Sequence, residues 1–341
     1  MKTAVFLGAA AASVMMAGMG LARDGETLAA IKARDMLICG VNPGLIGFAS
    51  PDANGNWSGF DVGFCRAVAA ATLGDPRKVE FRAMSGEDRF TALNDGKIDL
   101  LSRNTTWTFS RDTDLRLHFV GVNYYDGQGF MVPRALGVSS AKELDGATIC
   151  IQAGTTTALN LADYFRANNM RYQPVSIASN SEGEQKYLAG ACDAYTTDAS
   201  GLAATRAAFA NPADHILLPE IISKEPLGPV VRHGDENWGD IVRWTLYALI
   251  AAEEYGVTSV NIEELAKSSE NPEVLRLLGT NDDLGKMLGL EADWAKRAIA
   301  ASGNYGEIFA ATIGEQTPIG LARGLNAQWT QGGLLYAMPF R

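Results

Sequence analysis

MLICGVN (residues 36–42), GFDVGFCRAVAAATLG (59–74), KVEFRAM (78–84), GEDRFTALNDG (86–96) and KIDLLSRN (97–104) together decide the fold. Short apolar runs alternate with amphipathic stretches whose apolar residues recur at helical spacing. Strand, helix, strand, helix, strand is the signature of a βαβαβ unit, because parallel neighbours need a crossover and a helix is the usual one. The alternation returns in ATICIQAG (147–154), TTTALNLADYFRANN (155–169), YQPVSIAS (172–179), SEGEQKYLAG (181–190), CDAYTTD (192–198), SGLAATRAAFA (200–210) and HILLPEII (215–222). Asp145 and Gly146 mark a turn before this second unit. Two α/β lobes are expected.

Two segments can cross between the lobes: NYYDGQGFMVPRALG (123–137), punctuated by glycines, and SKEPLGPVV (223–231). If both are hinge strands, the chain returns to its first lobe. Residues 23–127 and 229–341 then form lobe 1, and 128–228 form lobe 2 with the crossings. Beyond Asp240 the stretches IVRWTLYALIAAEEYG, NIEELAKSS, PEVLRLLG and EADWAKRAIAASG are helical in character, and no role follows for the helices around 257–302.

The chain of 341 residues is 47% hydrophobic, enough for one large or two moderate cores, which excludes a disordered protein. Its formal net charge of -10 repels phosphate backbones, so nucleic acid is not expected as a partner. The N-terminus, MKTAVFLGAAAASVMMAGMGLARDGET, places Lys2 before an uncharged apolar run, with Gly20 and Ala22 as small residues around Leu21. This reads as an export signal, residues 1–22, with cleavage expected near Ala22 and the mature chain expected outside the cytoplasm. Four cysteines follow, and an even number in an oxidising compartment favours disulfides. Sequence alone does not choose among the three pairings. If the halves are separate domains, pairing within each is the simplest choice: Cys39 with Cys65, and Cys150 with Cys192.

Open parallel sheets bind ligands beyond the carboxyl ends of their strands. Those positions are Asn42 to Phe48, Ser85 to Arg89, Asn104 to Arg111, Gly154 to Thr157 and Thr196 to Asp198. They offer arginines, hydroxyls, a helix N-terminus and a carboxylate. That collection suits a small zwitterion, with a guanidinium fork and helix amides for a carboxylate and an anion for an ammonium. The three histidines, His118, His215 and His233, have no metal-ligand spacing, and GxSxG, HExxH and P-loop motifs are absent. No metal or cofactor is expected.

TWTFSR with Thr106 five positions before Arg111, GTTTALN after a strand, and TTD at the end of a later one resemble the periplasmic polar amino-acid-binding proteins of ABC importers, the family 3 solute-binding proteins. GFDVGFCRAVAAA, LSRNTTWTFSRDT, VNYYDGQGFMV and YTTDASGL are similar to its general L-amino-acid-binding branch, and SGNYGEIFAATIG to its closing helix. The resemblance covers essentially the mature chain. It implies a type II periplasmic-binding-protein fold, each lobe a mostly parallel sheet flanked by helices and joined to the other by two hinge strands. It also implies a monomeric carrier, not an enzyme, that gives free L-amino acids, broadly with a polar or acidic bias, to an inner-membrane ABC permease. Residue by residue, Arg111 matches the clamp on the ligand α-carboxylate, with the Thr106 hydroxyl and Asn104 backbone beside it. Thr155 matches the amide that closes on that carboxylate, and Asp198 the acceptor for the α-ammonium. Arg89 matches an arginine that meets acidic side chains, Gln152 a side-chain selector, and Leu45 stands where the family often stacks an aromatic ring.

Each assignment has a plainer rival. Asp112 and Asp114 could satisfy Arg111, Asp198 could cap the helix at Ser200, Thr155 could cap its own helix, and Arg89 could be a surface residue beside Glu87 and Asp88. Arg103 is expected on a strand face outside the site, and Trp107 in packing. Two other functions share the same pocket: a periplasmic dehydratase, which would need a general acid or base besides Asp198, and a ligand-presenting sensor for a chemoreceptor.

Overall fold

The computed structural model describes residues 24–341; the expected signal segment and its cleavage near Ala22 lie outside them. Two five-stranded sheets form the frame. The first runs Val79–Ala83, Leu37–Val41, Leu100–Leu101, Val230–Arg232, Leu117–Phe119. The second runs Gln173–Ile177, Thr148–Gln152, Ala194–Asp198, Gln128–Pro133, His215–Leu217. Each is mixed rather than mostly parallel. A parallel trio is extended by Val230–Arg232 and Leu117–Phe119 in the first sheet, and by Gln128–Pro133 and His215–Leu217 in the second, all paired antiparallel. The added strands lie where the chain leaves and re-enters a lobe without a helical crossover, so nothing forces them parallel. The crossings themselves, Tyr124–Asp126 and Glu225–Leu227, pair antiparallel with one another as a two-stranded hinge.

Strand Leu37–Val41 is buried at every position, as expected for a central strand covered on both faces. Helix Phe60–Leu73 packs on it and starts at Gly59, φ 131°, where an added Cβ would lie 2.3 Å from the Phe48 carbonyl oxygen. Cys39 bonds Cys65, tying this strand to this helix, and Cys150 bonds Cys192 in the second lobe. The stretch 97–104 yields only the two-residue strand Leu100–Leu101, and 86–96 only the short helix Arg89–Asn94.

Helix Glu236–Glu254 completes the first lobe. Its cap Asp235 is buried and accepts from Trp238 N at 3.0 Å, Gly25 N at 2.9 Å and Thr27 N at 2.7 Å. The helices between 257 and 302 cover this lobe: Ile262, Val274, Leu277, Trp294 and Ile299 join one core with Val68, Ile241 and Leu249. The closing helix Tyr305–Thr312 carries a reciprocal capping box between Asn304 and Glu307. The second lobe has its own core around Phe130, Ile149, Leu161 and Phe165. Among the described residues no helix is long and apolar enough to cross a membrane.

Candidate ligand-binding cleft

The carboxyl ends of both sheets' parallel strands face one cavity. Leu45, Arg89, Asn104, Thr106, Arg111, Gln152, Thr155 and Asp198 all line it. The lobes close on each other at its edge, where a Cβ built on Gly154 would lie 3.0 Å from Glu87 Cγ.

Arg111 projects from helix Phe109–Thr113, whose cap Thr108 accepts from the Arg111 backbone N–H at 3.3 Å. Its side chain is buried, lies over the Phe90 ring at 5.1 Å, and donates from Nη1 to the Thr106 carbonyl at 2.9 Å. The rival partners are engaged elsewhere or absent: Asp112 takes the Trp107 indole N–H at 3.1 Å, and neither it nor Asp114 forms an ion pair with Arg111. Burial lowers the Arg111 pKa, opposed by the charges of Glu225 and Asp198.

Asp198 ends strand Ala194–Asp198 and occupies the N-cap position of helix Ala199–Ala208, yet its side chain makes no capping bond. The carboxylate is left for the cavity. Burial, with Asp126 and Glu225 nearby, pushes its pKa well above the ordinary range, and Arg89 and Arg111 pull the other way. On the second lobe, Thr155 caps helix Thr156–Ala167 by position only, because its hydroxyl donates to the Gln152 carbonyl at 2.8 Å. The first amides of this helix therefore carry no side-chain cap, an anion-binding arrangement. Gln152 is partly committed, its Nε2 donating to the Ala178 carbonyl at 3.0 Å.

Arg89 is not a surface residue. It is 2% exposed, its Nε has no partner, and Asp88 bonds Ser85 instead. Arg103, expected outside the site, is buried and lines the cavity: the strand stops at Leu101, and Asn104 takes a positive φ of 42°, so strand alternation no longer sets the facing. Two further details differ from expectation. The Thr106 hydroxyl is given to Glu225, and Asn104 brings a buried side-chain oxygen that has no partner. Leu45 is buried at the bend bridged to Ala49. Trp107 stacks on Phe119 with rings 5.5 Å apart, in packing.

A family model for bacterial extracellular solute-binding proteins, family 3, matches residues 37–259. The chain belongs to that family. It is 67% identical over 341 residues, the whole of both chains, to the glutamate/glutamine/aspartate/asparagine-binding protein BztA of Rhodobacter capsulatus. It is 55% identical over 343 residues, again spanning both chains, to the general L-amino acid-binding periplasmic protein AapJ of Rhizobium johnstonii. Among solved structures it is similar to a periplasmic binding protein from Brucella ovis with glutathione bound, with a TM-score of 0.90 and 57% identity over 92% of this chain and 99% of that one.

Within this family 3 solute-binding protein, Glu225, on the second hinge strand, is a residue that sequence reasoning missed. It is 1% exposed and accepts from the Thr106 hydroxyl, Thr156 Oγ1 at 3.1 Å, Asn160 Nδ2 at 2.6 Å and Ser223 Oγ at 2.7 Å. Thr106 belongs to the first sheet's side and Thr156 and Asn160 to the second lobe, so one carboxylate joins both. The only local signal was an acid set among apolar and proline residues of a crossing. Asp126, on the other hinge strand, similarly takes the Ser200 hydroxyl, and burial raises its pKa to about 6.

Proposed function

We propose that this solute-binding protein captures a free L-amino acid, broadly and with a polar or acidic bias, between its lobes and delivers it to an inner-membrane ABC permease. The observation that carries the reading is that Arg111 and Asp198 face one cavity from opposite lobes, with the open N-terminus of helix Thr156–Ala167 beside them. Arg111 and the helix amides hold the α-carboxylate, Asp198 holds the α-ammonium, and Thr106, Asn104 and Thr155 shape that subsite. Arg89, Gln152 and Leu45 face the side chain. Splitting the zwitterion's partners across the cleft makes the ligand stabilise the closed state over the open one, which is what a closure signal requires.

The lobes divide at 23–127 with 229–341 against 128–228, and the protein works as a periplasmic monomer after cleavage near Ala22, without cofactor and without turnover. The Rhodobacter relative, named for acidic residues and their amides, supports the side-chain preference. Glutathione bound in the Brucella relative supports a wider panel, because its γ-linked glutamate presents the same free α-amino and α-carboxyl groups. Calorimetry with L-glutamate, L-glutamine, L-aspartate, L-asparagine, L-leucine and glutathione tests this. Saturable binding of several amino acids without product is the expected result. Binding of none, or conversion of a bound compound, would overturn it.

A further inference from the structure

Three guanidinium groups line one cavity, and the zwitterion clamp uses one of them. Arg89 and Arg103 remain. Arg89 Nε is buried without a partner, and its Nη1 lies 3.5 Å from the Thr105 hydroxyl, a contact at the limit of a hydrogen bond. That hydroxyl donates to the Arg103 carbonyl at 3.0 Å, which ties the two arginines to one turn. Arg103 is 4% exposed and donates from Nε to the Met84 carbonyl at 2.9 Å. Neither arginine forms an ion pair within 4.0 Å with any described residue. The carboxylates that act on them are Asp198, on the opposite lobe, and, for Arg103, Asp61, which already takes the Ser102 hydroxyl at 3.1 Å.

Buried cations of like sign, close enough to repel and without an adjacent anion, are costly unless something supplies the missing charge. Burial and the charge of Arg103 both depress the Arg89 pKa, which agrees with that geometry. We propose that Arg103 is a specificity-determining residue: with Arg89 it forms a second anion subsite, beside the α-carboxylate clamp, that takes the side-chain carboxylate of a dicarboxylic amino acid. Guanidinium groups only donate. Both oxygens of a side-chain carboxylate accept from such a pair, whereas an amide offers one acceptor and turns its NH₂ toward donors. The pair therefore selects acid over amide, and Arg103, which no expectation placed in the cavity, supplies half of that selection. This rests on the amino-acid-binding function proposed above.

The test is calorimetric affinity for L-glutamate and L-glutamine in the wild type, Arg103→Met and Arg103→Lys. Wild-type protein should prefer glutamate. Arg103→Met should weaken glutamate by roughly ten- to hundredfold, the value of one hydrogen bond to a charged group, and change glutamine by less than about threefold. Arg103→Lys, which keeps the charge, should restore part of the preference. If Arg103→Met does not fold because Asp61 loses its nearby cation, Asp61→Asn/Arg103→Met carries the same comparison. A glutamate-to-glutamine ratio unchanged in the Met variant, or equal affinities in the wild type, would overturn the subsite while leaving the carrier function standing. A wild type that binds no amino acid would overturn both.

Discussion

Glu225→Gln should loosen the closed cleft without unfolding either lobe. The hinge strand that carries Glu225 is anchored to the first lobe, where Trp107 N donates to the Pro226 carbonyl at 2.8 Å and Thr106 bridges Leu227. Its bonds from Thr156 and Asn160 are therefore the ones that depend on closure. Oε2 receives Thr106 and Thr156, and Oε1 receives Ser223 and Asn160. Whichever oxygen becomes the NH₂ of glutamine, one donor from the second lobe loses its acceptor. A hydrogen bond to a charged group is worth about 1.5 to 3 kcal/mol, or roughly ten- to hundredfold in affinity. Rotation of the Thr156 hydroxyl to accept in its turn would bring the loss toward about tenfold. Calorimetry with L-glutamate gives the affinity, and solution X-ray scattering with and without ligand gives the closed fraction. Unchanged affinity and an unchanged scattering profile, in a variant with wild-type melting temperature, would refute the role of Glu225 in holding the cleft closed.

Arg111→Ala and Asp198→Asn should each weaken every amino acid by a similar factor, because all share the groups they hold; removing one partner of a desolvated charge pair costs roughly 2 to 5 kcal/mol. A folded variant with unchanged affinities would remove that residue from the clamp. Replacing Cys150 and Cys192 by alanine should lower stability by about 3 to 4 kcal/mol through the loop they close, read as a fall in denaturation midpoint, and non-reducing peptide mapping should recover the 39–65 and 150–192 bridges. Asp61 tests linkage: burial raises its folded pKa to about 7 from 3.8, so the native state holds a proton that the unfolded state releases, and its contribution to stability declines as pH rises through that window. Asp61→Asn should be roughly 4 kcal/mol more stable than wild type at pH 8, with the gain vanishing near pH 4; equal melting temperatures at both ends would contradict this.

The strands and helices of both lobes were legible because their signal is local. MLICGVN is a continuous apolar run with no polar face to present to water, and GFDVGFCRAVAAATLG places its apolar positions at helical spacing. Once the alternation fixed parallel strands, the rule that ligands lie beyond their carboxyl ends pointed to Arg111, Thr155 and Asp198 as neighbours in space. The antiparallel strands were not separable on the same evidence. Gln128–Pro133 follows the hinge strand after a single residue, Gly127, and direction depends on where the next element docks, not on composition.

What the sequence determined by itself is the α/β alternation, the cysteine set and the residue types at the strand ends, since each is written within a few positions of chain. Tertiary structure alone decided the rest. Glu225 meets Thr106 across 119 residues, and no periodicity records a partner so distant. Arg103 was expected on the face of a strand that the fold ends two residues earlier, and Arg89 was weighed as a surface residue beside two acids although packing leaves it 2% exposed. A charged side chain carries no hydrophobic pattern to declare which way it points. Its burial is fixed by the neighbours that close around it, and those neighbours arrive from both lobes.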